Sequence, residues 1–179
     1  MSEYNETATH IEPSNQMRVW RFHPLSWVLL PVIAILFQVY VPRFFGFLSY
    51  LELPLLVTVY FSVMRRQPPA GALTGCLIGL AQDALTSLPL GMNGIVKTVV
   101  GYAAASISLR FDVENSGLRY LMGFGFFFGH QVLFWALSHT LLGSHDDLRL
   151  PQTLIAAFLN GVVALPLYQV FDKLKSEAQ

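Results

Sequence analysis

The sequence predicts an all-α polytopic membrane protein with six transmembrane helices, and three observations carry that prediction. Of its 179 residues, 54% are hydrophobic and only 12% are charged, where soluble domains average about 25% charged. The apolar stretches recur from Leu25 almost to the C-terminus, so the excess is not one anchor but a series of spans. The few cations fall in the breaks between those stretches, in an alternating pattern set out below. Net charge is zero, so nothing favours nucleic acid and no basic block marks an unusual affinity for anionic lipid. The single cysteine, Cys76, lies inside an apolar run, which leaves no disulfide framework.

The first 17 residues, MSEYNETATHIEPSNQM, carry Glu3, Glu6 and Glu12 and no Lys or Arg, unlike the basic start of a signal peptide. RVWRFHP follows and mixes Arg18 and Arg21 with Trp20 and Phe22, a composition suited to the headgroup layer. Residues 1–24 are therefore expected to be a cytoplasmic polar tail and interfacial segment, 25–172 the transmembrane domain, and 173–179 a cytoplasmic tail.

Breaks at Pro, Gly and charged residues divide the middle into Leu25–Val41, Leu51–Met64, Ala70–Leu88, Met92–Leu109, Leu118–Leu142 and Pro151–Phe171. The second span is short, about 21 Å against a bilayer core of about 30 Å. It is expected to borrow FFGFLSY before it, with Glu52 and Pro54 complicating its start. In this scheme Arg18, Arg21, Arg65, Arg66, Arg110, Arg119, Lys173 and Lys175 fall on one side, Arg43 and Arg149 on the other, and Lys97 inside a span. Cations accumulate on the cytoplasmic side, so both termini are placed there.

Asp83 stands in the apolar run GCLIGLAQDALTSLPLGMNG, where an ionised carboxylate costs about 2.5 to 3.5 kcal/mol on insertion scales. It needs a partner. The uncharged turn LPLGMNG centres near Leu90, and Asp83 and Lys97 lie equally far from it along the chain, so an antiparallel hairpin puts them at similar depth. Gly71, Gly75, Gly79 and Asp83 form a stripe at four-residue steps, the kind that lets helix backbones approach closely in lipid. Gly94, Lys97, Gly101, Ala104 or Ala105, and Ser108 form a matching face on the next span. The expected result is an Asp83–Lys97 ion pair, direct or water-bridged, that fixes helix register. A proton relay or ligand site is the sharper alternative, but spans one, two and six hold no ionisable group in their middles.

His130 and Asn160 fall near the middles of spans five and six and are expected to hydrogen-bond to each other. Gly125 and Gly129 offer another close-approach stripe, and the flanking Phe124, Phe126, Phe127 and Phe128 read as lipid-facing or partner-facing packing. His145, Asp146 and Asp147 in GSHDDLRL read as a solvated loop, since three adjacent residues do not close a metal site. Pro166 is expected to kink span six or mark its exit from the bilayer. No GxSxG, HExxH or GxxxxGK motif occurs.

The stretch GLAQDALTSLPLGMNGIVKTVVGY resembles the rod shape-determining protein MreD family of bacterial cell-wall elongation. The resemblance rests on Gly79, Leu80, Asp83, Leu90, Gly91, Gly101 and Tyr102, and on the plan of a small multi-span chain with no sizeable extramembrane domain. It implies a non-enzymatic scaffold of the bacterial inner membrane, without cofactor, in contact with membrane lipid. It further implies binding to MreC within a machinery that includes the RodA glycan polymerase, a penicillin-binding transpeptidase and the actin-like MreB. Gly91 joins Gly71, Gly75, Gly79 and Gly101 as an expected packing position. The family is also similar in fold to the substrate-binding subunits of energy-coupling-factor vitamin transporters, which supplies the rival function. Span one, LSWVLLPVIAILFQVYV, lacks the Ala-xxx-Ala docking face of such subunits and disfavours that rival. An intramembrane enzyme would need His130 or Asp83 to share a cavity with a nucleophile, which nothing in the sequence requires.

Overall fold

The computed structural model describes residues 21–22, 24–86, 89–111, 113, 115–143 and 147–176. The expected polar tail and most of the headgroup segment, together with His145 and Asp146, lie outside these residues. The described chain folds into six α-helices: α1 (Pro24–Tyr40), α2 (Leu53–Arg65), α3 (Pro68–Leu85), α4 (Met92–Ser108), α5 (Ser116–Leu141) and α6 (Leu150–Asp172). Two short 3-10 turns, Val41–Arg43 and Gly46–Tyr50, join α1 to α2. Arg21–Phe22 (β1) pairs antiparallel with Lys175–Ser176 (β2), which brings the two ends of the bundle's chain together.

By length and composition, residues 26–43, 46–65, 116–142 and 150–172 are apolar enough to cross a membrane. α3 and α4 are 18 and 17 residues long, or about 27 and 26 Å. Their Gly, Ala, Ser and Thr content dilutes their hydropathy, and the reason is packing. They form the most extensive helix pair in the bundle. A methyl group added at Gly71 would meet the carbonyl of Gly101, at Gly75 that of Lys97, and at Gly79 that of Asn93. Backbone therefore lies against backbone, and dispersion contacts replace the hydrophobic driving force that lipid does not provide. The opposite face of α3 presents Leu73, Leu77 and Leu80 outward.

α2 is the central helix. Every residue from Pro54 to Met64 is buried, so this 13-residue helix, about 20 Å long, is surrounded by protein on all faces. Its length need not match the bilayer because it does not meet lipid. As expected, the span borrows part of FFGFLSY: Gly46–Tyr50 leads into α2 as a 3-10 turn and the apolar span runs over 20 residues from Gly46 to Arg65, with Phe44, Phe45 and Phe47 outward. Pro54 fits in the first turn, where its missing N–H has no helical acceptor to lose. Thr58 donates to the carbonyl of Pro54 and Ser62 to that of Thr58, so both hydroxyls are satisfied within the helix.

α5 and α6 pair through Gly123, Gly161 and Ala164. Gly125 and Gly129 have nothing within 4 Å of an added methyl, so the close approach uses a different glycine from the expected stripe. Phe127 is buried in the core, contrary to its expected outward position. α6 continues through Pro166 to Asp172.

Around this bundle the large apolar side chains point outward: Val28, Val32 and Ile33 on α1, Ile95 and Val99 on α4, and Leu154, Ile155 and Phe158 on α6. Polar and ionisable side chains, among them Asp83, Asn93, Lys97, His130 and Asn160, point inward. That inversion suits hydrocarbon outside and satisfied polar groups inside.

Candidate functional site: a polar core around Lys97

The sequence places one cation inside a span, and the helices converge on it. Lys97 lies in the second turn of α4 and is fully buried at 0% exposure. A buried ammonium requires three acceptors for its three hydrogens, and the fold supplies them from three helices. Nζ is 2.9 Å from Oε1 of Glu52 at the head of α2, 3.2 Å from Oδ1 of Asn93 one turn back on α4, and 3.5 Å from Nε2 of His130 on α5.

Glu52 is the anion of the pair, and its side chain keeps 15% exposure. Nε2 of Gln82 on α3 donates to the same carboxylate oxygen at 3.0 Å. The backbone of Glu52 is also held: its N–H donates to Oδ1 of Asn160 at 2.9 Å. Nδ2 of Asn160 donates to the carbonyls of Tyr50 at 2.7 Å and Ala156 at 2.8 Å. One carboxamide on α6 thus closes the backbone groups that the turn into α2 leaves without helical partners.

Asp83 does not pair directly with Lys97. It caps α4 from a neighbouring helix. Oδ2 accepts from the N–H of Gly91 at 2.9 Å and of Gly94 at 3.1 Å, and Oδ1 accepts from the N–H of Asn93 at 3.2 Å and its Nδ2 at 2.9 Å. The first N–H groups of a helix have no internal acceptors and carry partial positive charge, so a carboxylate there is both hydrogen-bonded and electrostatically favoured. α4 has no side-chain cap of its own, because its N-cap residue is Gly91. Gly91 is not a packing glycine: nothing lies within 4 Å of an added methyl, and its φ of 99° is the reason for glycine. That left-handed turn aims its N–H at Asp83.

The depth count that paired Asp83 with Lys97 assumed helix right up to the turn. α3 ends at Leu85, two residues after Asp83, and α4 starts at Met92, which leaves Lys97 five residues inside it. Asp83 is level with the first turn of α4, not with Lys97. The long lysine stem then carries the ammonium toward Glu52. Asn93 joins the two systems, since its amide donates to Asp83 while its oxygen accepts from Lys97. His130 and Asn160 are likewise not bonded to each other; each serves the Glu52 region from its own helix.

Glu52, Gln82 and Asn93 are the members that the sequence reading missed. Glu52 was legible in principle: the start of span two and the turn between spans three and four fall on the same side of the bundle. An acid there lies within reach of a lysine one or two turns deeper.

A second polar cluster closes the other end. Arg119, expected in a loop, stands in the first turn of α5, and its Nη1 forms an ion pair with Oδ2 of Asp172 at 2.6 Å. Its Nε donates to the carbonyl of Val113 at 3.1 Å. The hydroxyl of Tyr60 donates to Oδ1 of Asp172 at 2.8 Å, and that of Tyr168 to the carbonyl of Leu56 at 3.2 Å. Arg65 lies 4.1 Å over the ring of Trp27, joining the end of α2 to the start of α1. Asp147 is exposed, and the N-cap position of α6 is Arg149.

Comparison with curated proteins and with solved structures gave no match. A family model described as rod shape-determining protein MreD matches residues 21–174, from the first described strand to the end of the bundle and including both polar clusters, and the chain belongs to that family.

Proposed function

We propose that this chain is a non-enzymatic scaffold of the bacterial cell-wall elongation machinery. In this reading it crosses the inner membrane six times with both termini cytoplasmic. It binds MreC and helps position the RodA polymerase and its transpeptidase, with MreB reached through the complex. Family membership supports a role in rod-shape determination. The observation that carries the scaffold reading is how the interior polar groups are used. Lys97 has three internal acceptors and Asp83 four internal donors. Groups so committed hold helices in fixed register; they are not set out for a substrate. The division into a tail at 1–24, a membrane domain at 25–172 and a tail at 173–179 belongs to the same proposal.

The test is purification of the tagged chain from rod-shaped cells in mild detergent, followed by identification of everything that accompanies it. Recovery of MreC with the polymerase and transpeptidase is expected, together with rounding of cells on depletion. A stoichiometric vitamin-like molecule in place of those proteins would overturn the proposal.

A further inference from the structure

Two polar atoms beside the Glu52–Lys97 pair have no hydrogen-bond partner: Oε1 of Gln82 and Nδ1 of His130. Both side chains are more than nine-tenths buried, Gln82 at 5% exposure and His130 at 4%. Their neighbours determine what each atom offers. Nζ of Lys97 is a donor only, so Nε2 of His130, 3.5 Å away, presents its lone pair. A neutral imidazole then carries its hydrogen on Nδ1. Nε2 of Gln82 donates to Glu52 at 3.0 Å, which fixes the amide orientation and leaves Oε1 as an acceptor. The ion pair is thus flanked by one buried donor on α5 and one buried acceptor on α3.

We propose that hydroxyl oxygens bind at these two positions, one accepting from Nδ1–H of His130 and one donating to Oε1 of Gln82. Water and the alcohol group of a lipid both have the required chemistry, because either can both accept and donate. A metal ion at Nδ1 does not fit, since it needs the lone pair that the lysine contact assigns to Nε2. The exposed edge of the ion pair is at the head of α2, where the side chain of Glu52 keeps 15% exposure while that of Lys97 has none. The inference is independent of the scaffold reading.

The experiment is NMR of the intact chain in bilayers with ¹⁵N-histidine, using a form in which His10, His23, His139 and His145 are replaced by Gln so that His130 is the sole imidazole. Expected are a protonated Nδ1, a bare Nε2, and magnetisation transfer to the Nδ1 proton from a hydroxyl resonance. Gln82, labelled and assigned against Gln82→Leu, is expected to show the same transfer at its side-chain amide. Transfer from water alone identifies water as the occupant, and transfer from the carbon-bound protons of a lipid, seen in ordinary water and lost when the lipid is deuterated at carbon, identifies a lipid alcohol; either supports the site. A protonated Nε2, or absence of transfer from both sources, overturns it. Neither result changes the proteins expected to co-purify with the chain.

Discussion

Lys97 forms its ion pair with Glu52, at 2.9 Å and 45 residues away in sequence. The pair connects the head of α2 to the second turn of α4 and sets up an asymmetric result. Glu52→Gln leaves a fully buried ammonium without its counter-ion, at a cost of about 3 to 5 kcal/mol. Glu52→Gln combined with Lys97→Met is expected to recover most of that loss. Thermal stability of the detergent-solubilised protein, followed by gel filtration after heating, measures the difference; a double variant no better than Glu52→Gln would rule out the pairing.

Asp83 behaves differently because its donors are backbone groups. Asp83→Ala removes the acceptor for the N–H groups of Gly91, Asn93 and Gly94, and each buried donor left unmatched costs about 1 to 3 kcal/mol. Lys97→Met is expected not to rescue Asp83→Ala in the same heating assay, since that lysine does not touch the carboxylate. Rescue would mean that the acid and the lysine are a direct pair after all.

Glycines separate into three responses. Gly75→Ala drives a methyl into the carbonyl of Lys97 and is expected to abolish recovery of folded protein. Gly91→Ala is expected to cost about 1 kcal/mol, because φ is 99° there and no neighbour is close. Gly125→Ala faces open space and should stay within about 0.5 kcal/mol of the parent. Yield and melting temperature of the three variants check the ranking.

Asn160→Leu tests the turn before α2. It removes the partners of the Tyr50 carbonyl and the Glu52 N–H. Amide hydrogen exchange over residues 46–52 is expected to quicken at least tenfold, while α3 and α4 keep their protection. Unchanged exchange in that segment would show that the carboxamide does not hold it.

The helices were readable in the sequence, and the polar geometry was readable only in part. Five of the six expected spans fall within two residues of the observed helices at each end, and α3 stops three residues short of the expected Leu88, because hydrophobic runs and their breaks are local properties. The glycine face at Gly71, Gly75 and Gly79 was likewise visible as a four-residue period. Which acid met which base was not. That outcome depends on α3 stopping at Leu85 and α4 starting at Met92, and on how far a lysine stem reaches, and neither is encoded in spacing alone. The roles of Gly123 and Gly125 were hidden for a similar reason: both are small residues on α5, and only the placement of α6 decides which one meets a neighbour.

The encasement of α2 carries a consequence for biogenesis. The head of α2 carries the carboxylate of Glu52, and the partners that this end of the helix meets, Lys97, His130 and Asn160, are all synthesised after it. α2 is therefore expected to reach its final packing only after the C-terminal half has been made, and a truncated product ending after α3 is expected to be a substrate for quality-control proteolysis.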